Sequence, residues 1–366
     1  MTAPCIVKLA FLATLTLTAG VQNHGWYRTR EGRGESLPKI HVLDAAHDYA
    51  GAKTPLHIET FKELRRLSVS DATTADFIFV DVDTLMQKFW PVYLKTSVTK
   101  HHPSILDDDD DKAHLWKEQV FKDTAENFIQ GHGNFSGKFV YFYDIKYKEG
   151  EEADPVRRER VREQFAEFSV FVGNDIVKND TRSAVGVNIL PPINKYLART
   201  TKMTERGERG LLATFRGRAC TDKGVRKQLF HDMPVYGENV DLVDTFHEDG
   251  PLEDLIASYK NSSFAFAPRG TKPYSFRPGE AMTFGAIPVI IVDDVEPIRP
   301  GNWEDWAVII PEKDTRQSIA TLQHISEAKR KTMFQAGREM ARCVNTIPGY
   351  VNCMLKALHE IQGIST

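Results

Sequence analysis

Residues 263–311 read SFAFAPRGTKPYSFRPGEAMTFGAIPVIIVDDVEPIRPGNWEDWAVIIP. Phe264 to Ala267 form a short apolar run, and Ala286 to Val292 form a longer one rich in β-branched side chains. Apolar runs separated by a helical segment predict parallel strands buried on both faces. Between them lies a polar loop carrying Arg269, Gly270, Lys272, Ser275 and Arg277. Pro278 suits the first position of a helix, where its missing N–H costs nothing. Glu280 then falls in the first turn, and Gly285 supplies the stop. A basic, glycine-containing loop that leaves a parallel strand and enters a helix is a physical recipe for holding phosphate. The carboxylate in that first turn is placed to accept hydrogen bonds from sugar hydroxyls. Together they outline a nucleotide-sugar site.

The ordered set Pro268-Arg269-Gly270, Ser275-Phe276-Arg277, Glu280-Ala281, Gly285-Ala286-Ile287-Pro288-Val289 and Asp293-Asp294 resembles the donor-binding segment of the exostosin family of glycosyltransferases. The match is nearly free of gaps. One departure stands out: the best-known animal members carry two basic residues after the Arg-Gly pair, and here Thr271 precedes Lys272. The resemblance implies an α/β chain with two Rossmann-like domains facing a cleft, the GT-B-type fold. It implies an inverting transferase that moves a sugar from a nucleotide sugar, with UDP the expected carrier, to a glycan or glycoprotein acceptor. The implied donor-binding residues are Arg216, Gly217, Arg269, Gly270, Lys272, Ser275, Phe276, Arg277, Glu280, Asp293 and Asp294. Arg269 and Arg277 would meet the diphosphate, Glu280 the ribose hydroxyls, and Asp293 and Asp294 the sugar. No cofactor beyond the nucleotide-sugar co-substrate is expected, and no metal.

Length and composition fit that outline. A chain of 366 residues accommodates two domains, and 41% hydrophobic content supports sizeable cores. The formal net charge of −3 gives no overall pull toward nucleic acid or an anionic membrane, so anion binding has to come from a local basic cluster. Near the N-terminus Lys8 precedes an apolar run from Leu9 to Ala19, with small residues at Thr18-Ala19-Gly20. That pattern reads as a signal peptide or an uncleaved signal anchor, and puts the body of the chain in the secretory pathway: the Golgi or ER lumen, or outside the cell. The only expected membrane contact is through that anchor. Three sequons, at Asn134, Asn179 and Asn261, agree with this compartment. There Cys343 and Cys353 are placed to form a disulfide around Pro348-Gly349, which leaves Cys220 free.

Alternation of strand and helix runs along the whole chain. Residues 1–20 are the targeting segment and 21–36 a polar, Gly-rich stem. An N-terminal, acceptor-side Rossmann-like domain spans 37–200, with strands at Ile40–Leu43, Asp76–Val80, Lys138–Asp144, Ser169–Gly173 and Val187–Pro192. A nucleotide-sugar-binding domain spans 201–345, opening with a strand at Leu211–Phe215 and a basic turn at Arg216-Gly217-Arg218. Residues 346–366 hold a final helix, read as Asn352 to Gln362. Assembly into homo- or hetero-oligomers stays open.

Several residues have a plainer reading beside the functional one. Arg216, Gly217 and Arg218 would meet the diphosphate from the side opposite Arg269, or form an exposed turn. Asp81-Val82-Asp83 superficially resembles a metal-binding Asp-x-Asp, yet the motif is short and common. The acidic run Asp107–Asp111 is a solvated helix start. An inverting transfer needs a group to take the acceptor hydroxyl's proton. Asp144 at a strand end is the candidate, with Asp81 and His41 as rivals. A catalytically inactive partner of another transferase and a secreted glycan-binding protein are the competing functions.

Overall fold

A computed structural model describes residues 37–43, 55–81, 124–132, 135, 137–142, 169–173, 186–190, 208–219, 224–232, 237, 239–245, 251–270, 275–293 and 295–364. The chain divides into two units, Met1–Leu37 and Pro38–Thr366, and every described strand and helix belongs to the second.

Two parallel sheets organise this second unit. In the first sheet, β1 (Ile40–Leu43), β2 (Phe77–Val80), β3 (Lys138–Phe142), β4 (Ser169–Gly173) and β5 (Gly186–Ile189) lie side by side in chain order. All four residues of β2 are buried, as an interior parallel strand requires, whereas β1 alternates at the edge. The second sheet contains β6 (Leu211–Gly217), β7 (Val240–Asp244), β8 (Ser262–Pro268), β9 (Ile287–Ile291) and β11 (Val308–Ile310), all parallel, in the order β11-β9-β8-β6-β7. The chain starts at β6, adds β7 on one side, then crosses back to place β8, β9 and β11 on the other. Strand order therefore reverses between β6 and β8. In open α/β sheets the ligand crevice lies outside the carboxyl ends of the strands at such a reversal.

Helices cover both faces of this second sheet. They are α2 (Val225–His231), α3 (Leu252–Asn261), α4 (Arg277–Thr283), α5 (Ser318–His324) and α6 (Glu327–Asn345), after α1 (Pro55–Leu67) in the first half. Ala213, Phe215, Phe264, Phe266 and Val289 pack one face against Leu229 of α2 and Leu322 of α5. Ala265, Ala267 and Ile290 pack the other against Tyr259 of α3, Met282 of α4 and Met340 of α6. Each fully buried aromatic or branched side chain contributes about 1.5–3 kcal/mol, so these layers hold the strand ends rigidly.

Two returns to the first sheet differ from the sequence reading. The short strand β10 (Ile298–Arg299) leaves the second half and pairs with Asn188 and Ile189 of β5. The last helix, α7 (Ile347–Ile364), packs Tyr350, Val351, Met354 and Leu358 onto Phe61 and Leu64 of α1 and onto Phe77, Phe79 and Val140. It begins at Ile347, earlier than Asn352. Pro348 and Gly349 are thus its first turn rather than a loop, because Pro at the second helical position forfeits no hydrogen bond and Thr346 Oγ1 accepts the Gly349 N–H at 3.1 Å. Cys343 of α6 and Cys353 of α7 are disulfide-bonded across this joint.

Candidate functional site

The loops that follow β6 and β8 both lie at the reversal of strand order. Gly217 ends β6 and Arg218 follows it, while Arg269 and Gly270 follow β8. One buried side chain joins them. Arg226, on α2, donates through Nε to the Arg269 carbonyl at 3.0 Å and through Nη1 to the Arg218 carbonyl at 3.4 Å. Its guanidinium lies over the Phe215 ring, 5.7 Å from the centroid. A Cβ added to Gly270 would stand 3.2 Å from Arg226 Nη2, so glycine is the residue that lets this loop come so close.

Arg269 reaches across to the loop after β11. Its Nη1 lies 3.4 Å from Glu312 Oε1, and its main-chain N–H donates to the Ile291 carbonyl. Glu312 and Asp293 bond reciprocally: the Glu312 N–H donates to Asp293 Oδ1 at 2.9 Å, and the Asp293 N–H to Glu312 Oε1 at 3.3 Å. Asp293 is exposed and fixes a turn beside Arg269.

Helix α4 carries the second cluster. The helix begins at Arg277, so Pro278 takes its second position, and Glu280 falls in the first turn. It ends in a Schellman motif: the Ala286 N–H donates to the Ala281 carbonyl and the Gly285 N–H to that of Met282, with Gly285 at φ 88°. Glu280 is 7% exposed. Its Oε2 accepts from Tyr259 Oη at 3.0 Å and from Arg277 Nη1 at 2.9 Å, and Arg277 Nη1 lies 3.3 Å from the Tyr259 oxygen. Burial pushes the Tyr259 phenol above its ordinary range, against the pull of Arg277. Burial opposes the Arg277 charge, but Tyr259 and Glu280 outweigh it and hold the guanidinium protonated.

Other residues singled out in the sequence lie elsewhere. Strand β6 runs through Arg216 instead of turning there, and Arg216 pairs with Asp241 of β7 at 3.1 Å. Thr214 shares that acid, which is opposite it in register, so the Arg216 side chain reaches back along the strand. Ser275 Oγ accepts the Arg277 N–H at 3.4 Å, and Phe276 is 47% exposed. Asn261 ends α3 at the amino edge of the sheet, where its Oδ1 accepts the Gly210 N–H at 3.0 Å. Asp81 follows β2 fully buried with Arg65 at 3.5 Å, and His41 Nδ1 donates to the Val69 carbonyl at 2.8 Å. Lys272, Asp294, Asp144, Asp83, Asn134, Asn179 and Cys220 lie outside the described residues. Among the described residues no group of three or more His, Cys, Asp or Glu is arranged to hold a metal ion.

Arg226, Tyr259, Asp241 and Glu312 do not figure in the sequence reading. Arg226 is one cation in the polar segment Val225-Arg226-Lys227, with nothing local to mark it as buried. Glu312 had one signal: it follows a buried strand end, Ile310-Pro311, where loops border a crevice.

Comparison with known proteins bears on this site. Residues 150–325 match the Exostosin GT47 domain. A probable glucuronosyltransferase of Oryza sativa subsp. japonica is 31% identical over 129 residues, which is 33% of this chain and 29% of that protein. The probable beta-1,4-xylosyltransferase IRX10L of Arabidopsis thaliana is 36% identical over 87 residues, 23% of this chain and 19% of that protein. The chain thus spans less than a third of the length of these relatives. Among solved structures, a UDP-forming alpha,alpha-trehalose-phosphate synthase from Burkholderia vietnamiensis aligns over 88% of this chain and 100% of its own, with 8% identity and a TM-score of 0.41.

Proposed function

We propose, on the premise that the chain belongs to the exostosin family through the GT47 domain at residues 150–325, that it is an inverting glycosyltransferase using a UDP-sugar. The observation that carries this reading is topological. The reversal of strand order brings two glycine-containing basic loops together at the carboxyl ends of the strands, and Arg226 links them. Arg269 and the loop amides then face the diphosphate, and Arg218 adds positive charge. Glu280 offers an oxygen to the ribose. The acceptor hydroxyl attacks the anomeric carbon, the bond from that carbon to the phosphate oxygen breaks, and UDP leaves. The hydroxyl's proton passes to a base of the N-terminal half, for which Asp144 remains the candidate. Cationic side chains and main-chain N–H groups balance the leaving group's charge, so transfer should proceed in EDTA. The acceptor is a glycan or glycoprotein met in the secretory pathway.

Thermal unfolding with UDP and a panel of UDP-sugars tests the reading. Ligand at a hundredfold its Kd stabilises a protein by about 2.7 kcal/mol, so the midpoint should rise with UDP and Arg269→Ala should blunt the rise. No shift with any nucleoside diphosphate would remove the donor site.

One observation favours a second reading. Arg269 already faces Glu312, and Glu280 faces Arg277 and Tyr259, so protein side chains occupy the groups that a donor would need. Such a chain would serve as an inactive partner of another transferase. Hydrolysis of a UDP-sugar by the isolated protein decides against that reading.

A further inference from the structure

The turn from α3 into β8 reads Asn261-Ser262-Ser263, an N-x-S acceptor for N-linked glycosylation. So short a triplet also arises by chance, and the surroundings of the side chain have to decide. Asn261 is the last residue of α3 and is exposed. Its amide is used on one side only: Oδ1 accepts the Gly210 N–H at 3.0 Å, and among the described residues nothing accepts from Nδ2. An N-linked sugar is attached to Nδ2 and leaves Oδ1 an acceptor, so that bond is kept. A Cβ on Gly210 would stand 2.9 Å from Oδ1 and 3.2 Å from Nδ2, so glycine keeps the amide uncrowded. The position also lies away from the crevice. Gly210 leads into β6, Asn261 into β8 and Gly285 toward β9, and Arg209 donates to the carbonyls of Tyr259, Lys260 and Gly285 across this amino edge. The Cys343–Cys353 disulfide, an independent observation, fits an oxidising compartment of the kind in which this modification is made.

We propose that Asn261 carries an N-linked oligosaccharide on Nδ2, attached before β8 pairs with β6, and that the folded protein keeps the bond from Gly210 to Oδ1 beside it. The co-substrate is an oligosaccharide joined to a lipid diphosphate. A bond forms between Nδ2 and the anomeric carbon, the bond from that carbon to the phosphate oxygen breaks, Nδ2 gives up one proton, and the lipid diphosphate leaves. The order of events follows from strand β8. The acceptor signal includes the Ser263 hydroxyl, so an enzyme has to hold Asn261 and Ser263 at once. In the folded chain Ser262 between them is fully buried, its Oγ donates to the Ser258 carbonyl at 2.7 Å, and it is paired in register with Leu211. The paired strand therefore withholds the segment, and attachment belongs to the growing chain. Once in place the oligosaccharide covers the amino edge of the second sheet and leaves the carboxyl ends of its strands open.

The test is mass mapping of the full chain expressed in insect cells, before and after treatment with peptide N-glycosidase, which leaves aspartate where a glycosylated asparagine stood. The peptide holding Asn261 should carry an oligosaccharide and show aspartate after treatment. Ser263→Ala removes the acceptor signal but not the Asn261 amide, and should abolish that oligosaccharide, whereas Ser263→Thr should retain it. If Ser263→Ala does not fold, Asn261→Asp, which keeps an oxygen for the Gly210 N–H, should lose one oligosaccharide from the intact mass. Folded wild-type chain made in bacteria, then offered purified oligosaccharyltransferase and lipid-linked oligosaccharide, should stay unmodified at Asn261. An unmodified Asn261 in the insect-cell protein, or an oligosaccharide that survives Ser263→Ala, overturns the inference. Modification of the folded chain overturns the order of events. None of these outcomes involves UDP, so the donor-site reading stands or falls separately.

Discussion

Arg226 Nε donates to the main-chain carbonyl of Arg269 at 3.0 Å, and the same guanidinium reaches the Arg218 carbonyl at 3.4 Å. One side chain therefore bridges the gap where the strand order of the second sheet reverses. Replacing it with methionine keeps much of the length of the side chain and removes the donors. Each hydrogen bond to a charged donor contributes about 1.5–3 kcal/mol, so Arg226→Met, which removes two of them, should lower the urea unfolding free energy by a few kcal/mol. Arg226→Lys should recover part of it. If the bridge also shapes a phosphate cradle, UDP affinity should fall further than uridine affinity in both variants, as read by titration.

Gly270 sits against the same guanidinium. A methyl group there would stand 3.2 Å from Arg226 Nη2, tighter than ordinary contact, and two carbonyl bonds restrain the arginine from giving way. Gly270→Ala should destabilise the wild type by about 1–3 kcal/mol, the usual cost of overpacking. In the Arg226→Met background the methyl has a flexible neighbour, and the penalty should shrink. A double-mutant cycle on urea unfolding measures the coupling, expected at about 0.5–3 kcal/mol for residues in contact. Additive losses would mean that the two positions act independently.

The joint between α6 and α7 is the third place to probe. Thr346 ends one helix and caps the next, and Cys343 and Cys353 link the two. Helix α6 packs on the second sheet and α7 on the first, so this link fixes how the chain passes between them. Closing so short a loop restrains the unfolded chain by about 3 kcal/mol in the loop-entropy model. Cys353→Ser should lower stability by about 2–4 kcal/mol under oxidising conditions and by far less with reductant present, as followed by circular dichroism. Gly349→Ala should be costly for a different reason: its new methyl would run into the Arg342 carbonyl.

These residues also show what can be read before folding. The interior strands were legible because a parallel strand buried on both faces is apolar at every position, as in Phe77–Val80 and Ile287–Ile291. The Arg269-to-Glu280 segment was legible because loop, glycine and helix start are contiguous. Strand order is not contiguous information. Nothing near Leu211 or Ser263 announces that β8 pairs with β6 and not with β7. The same applies to β10, two residues that join the far sheet, and to α7, whose apolar face matches Phe61 and Leu64 only once folded. Arg226 and Tyr259 were hidden because their partners, Arg218 and Arg269 for one and Glu280 for the other, are set by tertiary packing. Pro348-Gly349 misled because that pair usually marks a turn, and here a capping threonine makes it a helix start.

The Tyr259 hydroxyl gives the site a pH signature. Its phenol is buried and donates to a carboxylate, so its folded-state pKa is raised from the ordinary 10.0. Below pH 10 folded and unfolded chains both carry the proton, and the full contribution of the bond is present. Above it the unfolded phenol ionises while the folded one keeps its proton, and that contribution falls by about 1.4 kcal/mol per pH unit. Tyr259→Phe cannot titrate there. At pH 8 the variant should be less stable than the wild type by about 1.5–3 kcal/mol, the range for a hydrogen bond to a charged group. By pH 11 the gap should narrow by about 1.4 kcal/mol, because the wild type loses what the variant never had. Urea unfolding of both proteins at pH 8, 10 and 11 measures it, and comparing them cancels the titration of every other group. A gap that stays constant across that range would mean that the Tyr259 phenol is not held buried against Glu280.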